Sequence, residues 1–223
     1  MTRLQLSPSI LTADFARMGA EVQSVADHVD WFHLDVMDGH YVPNLTFGPS
    51  IVEAIHRTVD HPLNVHLMIS NPEEFLGVFA AAGATRICFH PETVADPART
   101  IEQIRALGVG PGLAVHPDVD VEPLGDLFPD LDVVLMMTVR PGFGGQKFMR
   151  EVLPKIERAR AMVQESASHA EIEVDGGVNL ETVDQTVGAG AQIVVAGSAI
   201  FDGVDPSAAA ARMRSRLDEL GAQ

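Results

Sequence analysis

Short apolar, β-favouring runs alternate along this chain with stretches whose apolar residues recur every three or four positions. Residues 4–7 open the series, and Phe15, Met18, Val22 and Val25 then place one face of a helix over 14–26. Residues 31–36 read as a buried strand running into a polar loop, and Gly48-Pro49-Ser50 starts a helix to about 59. After a strand at 63–68, Asn71-Pro72-Glu73-Glu74 has the form of a helix start, with Asn as cap, Pro in the first position and Glu completing the cap. A strand at 86–90 and a helix from Asp96-Pro97 to Leu107-Gly108 follow. Residues 109–115, with two glycines and Pro111, predict a short fifth strand, and 121–128 a short helix. The remaining elements are strands at 133–137, 171–174 and 193–196, and helices at 154–165, 182–187 and from Asp205-Pro206 to about 220.

Eight strands thus alternate with eight helices, without a linker or low-complexity segment. Strict alternation means a parallel sheet. Eight units within 223 residues fit a closed (β/α)8 TIM barrel spanning 1–223 as a single domain. An open doubly wound sheet lacks support, because no Gly-x-Gly-x-x-Gly turn follows the first strand.

Composition narrows the possible roles. Apolar residues are 46% of the chain and aromatics 5%, so the core is aliphatic. The formal charge of −16 argues against nucleic acid or an anionic membrane surface as partner. An anionic ligand would have to be held by local backbone donors or a metal. Cys88, the only cysteine, lies in an apolar strand and reads as an inert buried thiol. No signal-like segment opens the chain and no apolar run nears the ~20 residues of a membrane span, so a soluble, cytoplasmic protein is expected.

In such a barrel the reactive groups sit at the C-terminal ends of the strands. His33 and Asp35 leave strand two on one face, His66 is near the end of strand three, and Asp175 ends strand seven. Two imidazoles and two carboxylates make a set of ligands for one divalent ion such as Zn²⁺, Fe²⁺, Mn²⁺ or Co²⁺. Burying two carboxylates without such a partner is costly. Glycine-rich turns follow strands six, seven and eight: Gly142-Phe143-Gly144-Gly145, Gly176-Gly177 and Gly197-Ser198. Their N–H groups, with the Ser198 hydroxyl, form a phosphate cradle that needs no lysine. Met37, Met68 and Met137 end three strands and read as a water-poor lining. His28, His56, His61 and His169 read as solvated, whereas His40, His90 and His116 stand where supporting donors, caps or rim residues belong.

A metal, two carboxylates and a phosphate grip describe proton movement beside the carbonyl of a sugar phosphate. The metal would chelate the ketone oxygen and neighbouring hydroxyl, stabilising an enediolate. One carboxylate, Asp35 or Asp175, would take the proton from one face, and the other would return one to the opposite face.

Over essentially its whole length the chain resembles the ribulose-phosphate 3-epimerase family. The resemblance is carried by Ser7-Pro8-Ser9-Ile10-Leu11, residues 33–44, Val65-His66-Leu67-Met68, residues 141–148, Glu173-Val174-Asp175-Gly176-Gly177-Val178 and Gly197-Ser198-Ala199-Ile200. It implies interconversion of D-ribulose 5-phosphate and D-xylulose 5-phosphate in the pentose phosphate pathway. It also implies His33, Asp35, His66 and Asp175 as metal ligands, with Asp35 as proton acceptor and Asp175 as proton donor. Ser9 and His66 are implied as substrate contacts, the glycine turns around the phosphate, and a homo-oligomer, dimer or hexamer. Arg140 and His116 stand where the family's bacterial members more usually carry other residues, Asn or an acidic residue at the first position and Asn at the second. Two alternatives are a D-allulose-6-phosphate 3-epimerase and a barrel that only binds phosphorylated sugars.

Overall fold

The computed structural model describes residues 3–201 and 203–222, so residues 1–2, 202 and 223 of the expected domain lie outside it. Eight parallel strands form one sheet: β1 (Gln5–Pro8), β2 (Phe32–Met37), β3 (Leu63–Met68), β4 (Arg86–Phe89), β5 (Gly110–Val115), β6 (Val133–Met137), β7 (Glu171–Asp175) and β8 (Ile193–Ala196). From β2 to β8 each pairs with its sequence neighbour, and β8 returns to β1. Contact between β1 and β2 closes the circle. It is made by the parallel bridge Ser9–His33 and by Leu6 O, which accepts from Asp30 N at 2.9 Å and Trp31 N at 3.2 Å.

The helices that cover the sheet are α1 (Met18–Val25), α2 (Pro49–His56), α3 (Leu76–Ala81), α4 (Pro97–Ala106), α5 (Leu153–Glu165), α6 (Val183–Gly188), α7 (Ser198–Phe201) and α8 (Pro206–Gly221). Two begin as their sequence predicts, Asp96 Oδ1 accepting from Arg99 N and Asp205 Oδ1 from Ala208 N, each before a proline. None of the described helices is long and apolar enough to cross a membrane.

Four local expectations fail. The first helix starts at Met18, not Asp14, because the Asp14 carboxylate accepts from Ala16 N and turns the chain there; Phe15 is left half exposed, edge-on to Phe47. Asn71 does not cap, and Pro72–Glu74 is a single 3₁₀ turn; Glu73 instead accepts from the Thr100 hydroxyl. The fifth helix is a 3₁₀ segment, Glu122–Asp130, in which Pro129 offers no N–H and Gly125 no helix-favouring side chain. The fifth strand is not short: β5 runs six residues beside β4 and β6. Its glycine is what permits this, since a Cβ on Gly112 would collide with Cys88 Sγ and lie 2.7 Å from Val133 Cγ1.

Strand alternation divides each strand's side chains between two environments. From β2, Phe32, Leu34 and Val36 pack outward in the main aliphatic core beneath the helices, and His33, Asp35 and Met37 point inward. The barrel interior is itself divided. Cys88, Ala114, Val133, Leu135, Met137 and Ile193 form a dry wall from β4, β5, β6 and β8. Opposite them Ser7, His33, Asn64, His66, Arg86 and Glu173 are all buried and polar.

Candidate active site

Buried groups with no water to solvate them must satisfy one another, and the polar half of the barrel shows how. His33 Nε2, Asp35, His66 Nδ1 and Asp175 each present one ligand atom, and these atoms all lie within 4.8 Å of one another. Asp35 Oδ1 is 3.3 Å from His33 Nε2 and 3.2 Å from His66 Nδ1. The two nitrogens are 3.4 Å apart, and Asp175 Oδ2 stands 3.9 Å and 4.0 Å from them. Four ligands about 2.1 Å from one tetrahedral ion would be roughly 3.4 Å from each other. The spacing therefore suits a small divalent cation.

Three of the four ligand groups are backed from behind. His33 Nδ1 faces Glu173 Oε1 at 3.1 Å, and Glu173 Oε2 accepts from Asn64 Nδ2 at 2.6 Å. His66 Nε2 faces His90 Nε2 at 3.0 Å. The Ser9 hydroxyl donates to Asp35 Oδ2 at 2.5 Å, leaving Oδ1 for the imidazoles. Metal-binding imidazoles characteristically have their second nitrogen engaged in this way.

Backbone anchors set the two carboxylates. At the end of β2, Thr46 Oγ1 donates to Asp35 O at 2.6 Å and accepts from Met37 N at 3.0 Å. At the end of β7, Thr138 Oγ1 donates to Asp175 O and, at 2.7 Å, to Gly176 O. The carboxylates themselves differ. Asp35 is 3% exposed and is held by Ser9 and His66, with His33 Nε2 3.3 Å away, while the Asp175 side chain is 15% exposed and its carboxylate accepts no hydrogen bond among the described residues. Burial would raise both. For Asp35 the charge and hydrogen bonds of His33 and His66 outweigh burial and hold the group well below the usual carboxylate range. For Asp175 burial, reinforced by the Asp35 charge, pushes the pKa up to about 7. Burial also opposes charge on His33, but Asp35, Glu173 and Asp175 outweigh it and raise that imidazole; His66 is lowered by burial.

Above the carboxylates opens a cleft. Ser9, Asp35 and Asp175 line its floor with Met37, Met68 and Met137, and Gly142, Phe143, Gly144, Gly145, Gly176, Gly177, Gly197 and Ser198 line its wall. His33 and His66 lie behind it, fully buried. Gly177 is obligatory: its φ is +66°, and a Cβ would lie 2.5 Å from Phe148 N. The turn after β6 is bound to its neighbours. Asn44 Nδ2 donates to Gly142 O at 2.8 Å, and Gln146 Nε2 donates to Arg140 O and Phe143 O. Arg140 and His116, the two unusual residues, meet at the rim through Asp118: its carboxylate pairs with Arg140 at 3.1 Å and its N–H donates to His116 Nδ1.

Three residues of the site escape a motif-based reading. Glu173 is two before Asp175 on β7, so strand period alone points it inward. His90 is the supporting residue among the three unassigned histidines; His40 is exposed and His116 is at the rim. Thr12 has a buried hydroxyl without a hydrogen-bond partner at the cleft wall, beside Gly197. Among the histidines read as solvated, His56 and His169 are exposed or nearly so, whereas His28 and His61 are half-buried, His61 edge-on to Phe32.

Residues 5–201 match the ribulose-phosphate 3 epimerase family. The chain belongs to that family. Ribulose-phosphate 3-epimerase of Bacillus subtilis (strain 168) is 46% identical over 213 residues, covering 95% of this chain and 98% of the relative. That of Mycobacterium tuberculosis (strain ATCC 25618 / H37Rv) is 44% identical over 209 residues, covering 94% and 91%. As a member the chain is an epimerase, hence an isomerase. Its fold is shared more widely: KGPDC from Streptococcus mutans superposes with a TM-score of 0.76 at 14% identity, over 98% of this chain and 99% of the other.

Within this epimerase, Glu173 ties the cluster to the barrel floor. Arg86, buried with its guanidinium 4.2 Å from the Trp31 ring, is 3.8 Å from Glu173 and 3.7 Å from Glu171. Glu173→Leu strands Asn64 Nδ2, His33 Nδ1 and part of the Arg86 charge together, so it should cost about 3 kcal/mol or more of stability in urea unfolding. A loss below about 1 kcal/mol would mean that this buried row does not act as a unit.

Proposed function

We propose that this epimerase interconverts D-ribulose 5-phosphate and D-xylulose 5-phosphate with one divalent ion, Zn²⁺, Fe²⁺, Mn²⁺ or Co²⁺. His33 Nε2, Asp35, His66 Nδ1 and Asp175 would hold the ion. The donor set suits it: two imidazoles and two carboxylates whose ligand atoms lie within 4.8 Å of one another, three of them backed by a second hydrogen bond. When bound, the cation supplies positive charge against the negative oxygens of the enediolate.

The observation that carries this reading is the placing of two carboxylates, from β2 and β7, on one cleft floor. Asp35, its carboxylate oriented by the Ser9 hydroxyl, is equipped to take the C3 proton. Asp175, on the same cleft floor with no hydrogen bond to its carboxylate among the described residues, is placed to give one from the other side. With β2 and β7 on different sides of the barrel, removal and return on opposite faces invert the carbon. The methionines keep water from the intermediate, and the glycine turns after β6, β7 and β8 receive the phosphate, which fixes C3 between the two carboxylates. Ser9 and His66 would also contact the substrate, Ser9 from the cleft floor, where it orients the Asp35 carboxylate.

The test is to compare kcat/KM for D-ribulose 5-phosphate and D-allulose 6-phosphate. The pentulose should be preferred, with deuterium from D₂O entering C3 of the product. A preference for the hexulose overturns the substrate assignment, and absence of exchange at C3 overturns the proton-transfer reading.

A further inference from the structure

A row of side chains leads from the four-residue cluster out to the surface. His66 presents Nδ1 to the cluster and Nε2 to His90, whose Nε2 is 3.0 Å away. His90 is fully buried, its ring 4.8 Å from that of Tyr41 and its Nδ1 without a hydrogen bond, 3.6 Å from Glu92 Oε1. The Tyr41 hydroxyl donates to that same oxygen at 2.7 Å. Glu92 is therefore held in place by the loop that follows β2.

Proton counting makes this row restrictive. A neutral imidazole has one N–H and one lone pair. If His66 offers the Nδ1 lone pair to a cation, its proton is on Nε2 and donates to His90 Nε2. His90 then accepts at Nε2, and its proton must sit on Nδ1, facing Glu92. A lone pair there would instead face a carboxylate. In the opposite arrangement the His66 proton lies on Nδ1, 3.2 Å from Asp35 Oδ1, and the ligand lone pair is occupied. Asp35 and Glu92 thus stand at opposite ends of two imidazoles and draw their protons in opposite directions.

We propose that Glu92 fixes the tautomers of His90 and His66 and so keeps His66 Nδ1 available as a ligand atom. The inference rests on the four-residue metal site proposed above. Glu92 is a positioning residue: it acts through two rings and touches neither cation nor substrate. The half-exposed Glu92 side chain can be replaced without opening the core.

The experiment measures Zn²⁺ affinity of metal-free protein by competition with a chromophoric chelator. Glu92→Leu should weaken binding by about 10- to 100-fold, whereas Glu92→Gln, which retains an acceptor for His90 Nδ1–H, should stay within about threefold. In the Zn²⁺-loaded wild-type protein, ¹⁵N–¹H spectra of the imidazoles should place the His90 proton on Nδ1. Wild-type affinity in Glu92→Leu, or a His90 proton on Nε2, overturns the inference and leaves the metal site standing. Wild-type protein that takes up no Zn²⁺ overturns the metal site itself.

Discussion

Asp175→Asn should exchange the C3 hydrogen of ribulose 5-phosphate without making xylulose 5-phosphate. Asp35, oriented by Ser9, still removes the proton from its own face and can return one only there. In D₂O the recovered ribulose 5-phosphate should gain deuterium, while epimerisation falls by about a thousandfold, the order of effect for losing a positioned general acid. Asp35→Asn should lose both exchange and epimerisation from the same substrate. Both variants need their metal content matched to the wild type, because each substitution also alters a proposed ligand. Epimerisation at the wild-type rate in either one would sink the two-carboxylate mechanism.

Removing the metal with a chelator should abolish turnover, and its return should restore it with a pH dependence fixed by the cluster. Burial and then the Asp35 charge raise Asp175 to about 7, and three carboxylates hold His33 above its ordinary value against the pull of burial. In the metal-free protein both groups therefore keep protons at or below neutrality. A cation needs those positions deprotonated, so uptake releases protons and affinity rises with pH. Each displaced proton should change affinity about tenfold per pH unit below the pKa of its group. Calorimetry in buffers of different ionisation enthalpy should find more protons released near pH 6 than near pH 8. Equal affinity and no proton release at both values would show that these groups do not share the site.

Much of this arrangement can be read from residue pattern alone, for a physical reason. Barrel strands are short and buried on both faces, so their apolar runs announce themselves; residues 63–68, 133–137 and 193–196 coincide with strands to the residue. The rule that reactive groups gather at strand C-termini then draws His33, Asp35, His66 and Asp175 together before any distance is known. What pattern cannot supply is the supporting layer. Glu173 looks like an ordinary strand residue until His33 and Asn64 are seen to share it. His90 and His116 each stand at a strand end before a proline and His40 lies in the loop after β2, and only the closed barrel distinguishes a buried partner of His66 from a rim residue and an exposed one. Helix ends are the least legible, because Asp14 and Asn71 have several possible hydrogen-bond partners, and tertiary contacts decide among them.

The bridge between Ser9 and His33 has a meaning beyond architecture. It is the seam where the first strand meets the second, and a lone bridge with two bonds to Leu6 O joins them where full ladders join every other pair. The same two residues flank the proposed reaction centre. Fraying at this seam would swing Ser9 away from Asp35 and disperse the cluster, so catalytic competence and ring closure are lost in one event. Conversely, any occupant that grips both sides rivets the ring shut. Amide exchange in residues 5–9 and 32–35 should therefore report occupancy of the centre more sensitively than exchange in the strands opposite.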